Sequence, residues 1–390
     1  MKYFKLIITL LIVLFLTLGV SSASEVNNAE LTDLEPSELQ ILIDNAPENS
    51  IVNLDKDYYG GNITISKTLT INGNNHVLDG QDKLKILTVT APNVVLNDII
   101  FINGNSEYGG GALTMTNGEI INCTFKNNHA YSGGSIAVKS CKVMDSTFES
   151  NYATYGGAII CSDSELSNLI LKDNVADMDG GAIEATNTTL SDLTCINNHA
   201  ESGGGAISLY DSIINGSYFE KNTAGNYGGA IFKFFSDVND CVFKGNSALL
   251  GGAIYQDSLY DDNSGPIEEV RDSIFISNHA TEHGGAIFKV NTHVSGCKFE
   301  NNYAGAGCDD ICDNYNHTDD KTPSDGKDNY NRTDENASDD EKTNTTDINQ
   351  SSKKDSSTFK IIESENRAGN PLGLLLLALI IPISRIRKHD

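Results

Sequence analysis

A repeat limits this chain more than any other feature of its sequence. Gly-Gly followed by a small residue and an aliphatic one begins at Gly110, Gly133, Gly156, Gly180, Gly204, Gly228, Gly251 and Gly284, at intervals of 23, 23, 24, 24, 24, 23 and 33 residues. A second element keeps phase with the first: an apolar residue, Asn three positions later and Ala five positions later, from Phe125/Asn128/Ala130 to Phe299/Asn302/Ala304. Two locked elements over eight copies mean one supersecondary unit per copy. Strings such as Gly228-Gly229-Ala230-Ile231-Phe232 are too short for a stable helix and are bounded by turn residues, so they read as strands. One coil of such strands has two open edges and half a core. Stacking satisfies both, because strands pair about 4.8 Å apart and like residues meet in columns. The repeat therefore predicts an all-β parallel solenoid.

Within it the Phe column is expected inside, with Ala130 and its equivalents where a corner leaves little room. The paired Gly allow a sharp turn or a close approach between coils. Asn128, Asn151, Asn174, Asn198, Asn222, Asn246, Asn278 and Asn302 are expected to form an internal ladder, each amide bonding a turn and its counterpart one coil away. A column of identical amides is a poor catalytic centre, which needs unlike groups converging at one place. The long last interval holds an insertion of about ten residues around 260–269, and its side chains Tyr260, Asp261, Asp262 and Asn263 form a candidate binding loop within residues 256–270.

Residues 36–42 carry helix-start chemistry and an apolar face suited to cap the open first coil. Strand-like runs follow at 51–54, 63–71, 84–89 and 94–102. Gly305-Ala306-Gly307-Cys308 is a degraded copy, as a terminal repeat facing solvent should be.

The flanking segments divide the rest of the chain. Lys2 and Lys5 precede an apolar run and the small residues Ser21-Ser22-Ala23, so residues 1–23 read as a signal peptide, with an uncleaved anchor as the alternative. Residues 24–312 are the β-helix. Residues 313–370 are polar, acidic and almost without apolar side chains, which predicts a disordered stalk. Residues 371–384 are apolar and residues 385–390 basic, the pattern of a transmembrane anchor or a sorting signal with a cytoplasmic tail. Asn-x-Ser/Thr sites fall at Asn316, Asn331, Asn336, Asn344 and Asn349 in the stalk and at Asn62, Asn122, Asn187 and Asn215 before it. In an exported chain they are candidate glycosylation sites, and chance in an Asn/Ser/Thr-rich tract explains the stalk set equally well. A net charge of -26 repels nucleic acid and argues against it as a partner.

Few residues suggest chemistry. Asp261 and Asp262 near Arg271, and Asp309 with Asp310, could serve a lyase or hydrolase, but solvated loop and cap charges fit them as well. His129, His199 and His279 share one repeat position yet are three coils apart, about 14 Å, too far to share a zinc ion whose ligands lie about 2.0 Å away. No metal, cofactor or catalytic residue is assigned. Cys123, Cys241 and Cys297 also share a position and are too far apart to bridge; they read, with Cys195, as buried apolar residues. Cys308 and Cys312 could bridge at the cap.

The Gly-Gly-Ala-Ile strings and the Phe-x-x-Asn element resemble the repeats of chlamydial polymorphic outer-membrane proteins. With Ile63-Thr64-Ile65-Ser66-Lys67-Thr68-Leu69-Thr70-Ile71-Asn72-Gly73 and Gly369-Asn370-Pro371-Leu372, the overall plan resembles adhesin-like surface proteins of methanogenic archaea. The resemblance implies a right-handed, single-stranded, pectate-lyase-like parallel β-helix at the cell surface. It also implies a rod on a stalk that binds extracellular glycans or surface components of other cells. A surface polysaccharide lyase or hydrolase on the same fold is the alternative, since fold alone does not choose.

Overall fold

A computed structural model describes residues 37–257 and 267–313. The expected signal peptide, stalk and C-terminal apolar segment lie outside the described residues. Among the described residues no helix is long and apolar enough to cross a membrane.

The described chain is a parallel β-solenoid. Each full coil runs through four short strands, as in Ile136–Lys139, Lys142–Met144, Thr147–Glu149 and Tyr152–Tyr155. Each strand pairs with its counterparts in the coils before and after. The first three positions build eleven-stranded sheets, here the first, second and third; the fourth position builds a nine-stranded sheet. Pairing is in register with the repeat: Leu113, Ile136, Ile159, Ile183, Ile207, Ile231, Ile254 and Ile287 follow one another along the inner face of the first sheet.

The core is columnar because the register is. Phe101, Phe125 and Phe148 stack at 4.8 and 4.7 Å between centroids, and Phe219, Phe243, Phe275 and Phe299 continue at 4.8, 4.8 and 5.1 Å. Leu171 and Cys195 fill the two coils between. Burying each such ring stabilises by about 1.5–3 kcal/mol, and offset stacking adds to that.

Corners follow from backbone sterics. The first Gly of each pair has φ between 57 and 68, where a Cβ would strike the following carbonyl. The second Gly serves packing: a Cβ on Gly181 would lie 2.0 Å from the Gly205 carbonyl of the next coil. Most of the remaining corners place Asn or Asp in the same left-handed region, for example Asp98, Asn122, Asp145, Asn168 and Asp192, because short polar side chains tolerate it.

Three expectations are corrected. Helix α1 spans Glu38–Asn45 rather than 36–42, because Ser37 caps it by accepting from the Gln40 N–H at 3.1 Å. Leu39 and Ile43 cover the first coil, and the Gln40 amide bonds both Thr64 N and Thr64 O, completing the open strand edge as a further strand would. The runs 63–71 and 94–102 are each two strands broken by a corner, Ile63–Ile65 with Thr70–Asn72, and Val95–Asn97 with Ile100–Ile102. The insertion is shorter than its expected bounds: Gln256, Glu268 and Val270 are buried wall residues, not binding loop.

Candidate functional site

The Asn column lies at the corner between the third and fourth sheets and is almost wholly buried. Asn174 is representative: its Oδ1 accepts from Asn151 N at 3.0 Å and Asn151 Nδ2 at 2.9 Å, while its Nδ2 donates to Phe148 O and Asn198 Oδ1, both at 3.0 Å. Asn151, Asn198, Asn222, Asn246 and Asn278 repeat the pattern, and Asn128 begins it, its Oδ1 accepting from Gly104 N at 2.7 Å. Asn302 ends it by donating to Asp310 Oδ1 at 3.0 Å, and Asp309 accepts from Ala304 N at 3.0 Å. Both carboxylates are thus occupied in closing the last coil.

The other sequence candidates are dispersed. Tyr260, Asp261, Asp262 and Asn263 lie outside the described residues, as do Asn316, Asn331, Asn336, Asn344 and Asn349. Arg271 bonds Asn239 Oδ1 at 2.8 Å and pairs with Glu269. Asn187 donates to Asp163 at 2.7 Å, Asn215 accepts from Asn239, and Asn62 occupies a left-handed turn. His129, His199 and His279 occupy the fourth sheet opposite Tyr152, Thr223 and Tyr303 respectively. All eight cysteines are free thiols, Cys308 and Cys312 included; these two share a hydrogen bond, which with burial pushes Cys312 above the ordinary thiol range.

What the fold does bring together is a groove that the repeat conceals. The residue after each Gly-Gly-Ala-Ile faces outward from the first sheet: Ala137, Ile160, Glu184, Ser208, Phe232, Tyr255 and Phe288 in successive coils. The residue before each Gly-Gly forms a ledge beside this column, continuous through the bridges Asp179 to Gly203, Gly203 to Tyr227 and Tyr227 to Leu250. A Cβ on Gly109 would lie 3.5 Å from Ala137 Cβ, and one on Gly203 would lie 3.2 Å from Phe232 Cγ, so ledge and sheet face lie side by side in these coils.

Its chemistry changes along its length. Where the ledge is small, at Gly109 and Ser132, a cleft of about 80 Å³ opens beside Tyr108, Ile160, Ser162 and Glu184. In the middle stand Tyr155, Asp179, Glu184 and Tyr210. Burial, then the neighbouring Asp179, pushes the Glu184 carboxyl up to about 8, so it is protonated at neutral pH. Burial also raises Asp179, opposed by hydrogen bonds from Ser202 and Gly203. Further on the groove turns aromatic: Tyr227 lies 4.6 Å from Tyr255 and 6.1 Å from Phe232, and Tyr255 stacks on Phe288 at 5.2 Å. The signal was available in sequence as the one position that varies within a constant string.

Beneath the aromatic end the core contains charge. Lys233 faces inward where earlier coils place Leu209 and Ala185, and its Nζ bonds Glu268 Oε2 at 2.5 Å and Ser236 O at 3.0 Å. Glu268 Oε1 accepts from Phe235 N and Gln256 Nε2 at 2.8 and 3.2 Å. Gln256 Oε1 in turn accepts from Val290 N and Asn291 N. Burial pulls the Lys233 ammonium down from its ordinary value, and the Glu268 carboxylate opposes that. The network ties together the two sides of the insertion.

Comparison with known proteins agrees with the repeat. Residues 192–210, 216–232, 240–257 and 272–289 match the Chlamydia polymorphic membrane protein repeat. No curated protein matches the chain. Among solved structures, one described as a new PL6 alginate lyase complex with trisaccharide is 14% identical, with a TM-score of 0.38 over 69% of this chain and 82% of that one; likeness at this level carries no argument about chemistry or ligand.

Proposed function

We propose that this chain is an exported, cell-surface, adhesin-like protein whose solenoid is a rigid rod that binds extracellular glycans. The observation that carries the reading is the groove: a ledge and an outer sheet face running side by side from coil to coil, with hydroxyl and carboxyl groups in its middle coils and aromatic ones further on. A polymer of sugar units meets such a surface with its hydroxyls at the polar stretch and its apolar ring faces on the partly exposed Tyr227 and Tyr255, which the buried Phe232 and Phe288 support from beside. The match to a repeat of surface proteins supports the location. The signal peptide, acidic stalk and C-terminal anchor or sorting signal complete the proposed plan, which is that of the methanogen adhesin-like proteins. Surface components of other cells are the wider partner class, and Asn62, Asn187, Asn215 and the stalk sequons are proposed glycan acceptors.

A second reading, a polysaccharide hydrolase or lyase, is favoured by one observation: Asp179 and Glu184 are two carboxyl groups in one groove with Glu184 held protonated, as a general acid requires. The two readings separate by incubating the purified full-length chain with plant, mucin and microbial-wall polysaccharides and resolving the mixtures by size. Co-elution with intact polymer is expected. Shortened polymer would replace the adhesin reading with the enzymatic one, and the absence of any co-elution would refute glycan binding by the rod.

A further inference from the structure

Two buried polar atoms with no hydrogen-bond partner, Ser162 Oγ and Glu184 Oε2, belong to residues lining the same cleft. Buried polar groups are nearly always satisfied, so two orphans at one opening point to a missing partner. The walls between them are apolar, Ala137 and Ile160, and the ring of Tyr108 stands 53% exposed at the mouth. A volume of about 80 Å³ holds roughly six waters at the space a single water needs, which suits one sugar ring and not a chain segment.

We propose that this cleft is a subsite for a single neutral sugar unit, with Tyr108 and Ile160 against its apolar face, the Ser162 hydroxyl bonded to it, and the Glu184 carboxyl donating to one of its hydroxyls. The proposal rests on the glycan reading for its ligand class and adds a site, a unit size and a charge state. The ligand is neutral because Asp179 flanks the cleft and the chain carries a net charge of -26, which disfavours an acidic sugar. Covering Glu184 with a neutral ring removes its remaining water, so occupancy favours the protonated carboxyl and affinity falls as that group ionises. The titratable groups around Glu184 are Asp179 and Tyr155 on the ledge, Tyr210 in the next coil and Cys161 in the preceding one. Burial pushes Tyr155 and Cys161 up to about 12 and raises Tyr210 as well, so none of the three ionises below pH 9.5.

The test is saturation-transfer NMR on the full-length chain with the methyl glycosides of glucose, galactose, mannose and N-acetylglucosamine, with methyl glucuronide and methylamine as charged controls, at pH 6 and 9.5. At least one neutral glycoside is expected to bind at pH 6 and to lose roughly thirtyfold in affinity by pH 9.5, the deprotonated excess for a group titrating near 8. Glu184→Gln, which keeps a neutral donor, should retain the pH 6 affinity and lose the pH dependence. Ile160→Trp, at a partly exposed position, should fill the cleft and abolish binding while leaving the circular dichroism unchanged. Failure of every neutral glycoside, unchanged binding by Ile160→Trp, or binding that strengthens at pH 9.5 as methylamine would show, each overturns the subsite. Polymer binding by a chain that binds no neutral glycoside leaves the rod reading standing without the subsite; glycoside binding without polymer binding leaves the subsite standing without the rod.

Discussion

Truncating one rung of the asparagine ladder, Asn174→Ala, tests how much the column contributes. The side chain makes four hydrogen bonds, to Asn151 N, Asn151 Nδ2, Phe148 O and Asn198 Oδ1. Asn151 Nδ2 keeps its bond to Phe125 O, but the Asn151 N–H is left buried without an acceptor. An orphaned buried donor costs about 1–3 kcal/mol and the three further lost bonds about 1 kcal/mol each, giving about 4–6 kcal/mol in all. Because each coil touches only its neighbours, the loss should be local. Urea unfolding of the full-length chain followed by circular dichroism, with hydrogen exchange read coil by coil, measures both quantities. Destabilisation near that size is expected, with exchange accelerating first across residues 151–198. Asn174→Asp should be no milder, since it keeps the acceptor but sets carboxylate oxygen against Phe148 O and Asn198 Oδ1. A loss under about 1 kcal/mol, or exchange that rises uniformly along the chain, would refute the account of the ladder as a local, hydrogen-bonded strut.

Other expectations follow from the buried charges and thiols. Glu268→Gln strands the Lys233 ammonium and should destabilise by about 3–5 kcal/mol, whereas Lys233→Met with Glu268→Leu should cost far less; denaturant midpoints of the three variants decide. The raised Glu184 carboxyl means that the folded chain holds a proton the unfolded chain has lost between its ordinary value near 4.5 and about 8. Stability should therefore fall as pH rises through that window, by at most about 1.4 kcal/mol per unit, and be flat above it; comparing wild type with Glu184→Gln isolates the slope. Burial pushes Cys123, Cys161 and Cys241 up to about 12, so iodoacetamide at pH 8 followed by mass spectrometry should leave these three unmodified in the native chain and alkylate them in urea.

The columns were legible in the sequence because every coil presents the same neighbour to the next: Phe125, Asn128 and Ala130 recur because their surroundings recur. Corners were less so. The run 63–71 reads as one strand since Leu69 is fully buried at its corner and keeps the apolar pattern going, while Asp98, next to Asn97, turns the chain with φ 55 inside a run whose other residues are apolar. The buried pair was hidden by sequence distance: Lys233 and Glu268 are 35 residues apart and meet inside the core. The groove escaped for a different reason. Its floor follows one Gly-Gly and its ledge precedes the Gly-Gly of an earlier coil, so Gly203 and Phe232 become neighbours only after the chain has gone once around.

The one-to-one pairing of coils also dictates how the molecule gives way when its ends are pulled apart. Inter-strand bonds, ring stacks and the amide column all point along the axis, so traction is borne in series by every interface between coils, and an end coil, with a neighbour on one side alone, detaches first. Each release among the regular coils frees 23 or 24 residues, about 80 Å of extended chain, from an element that rises about 4.8 Å. A stack built this way lengthens in steps and dissipates work at each one.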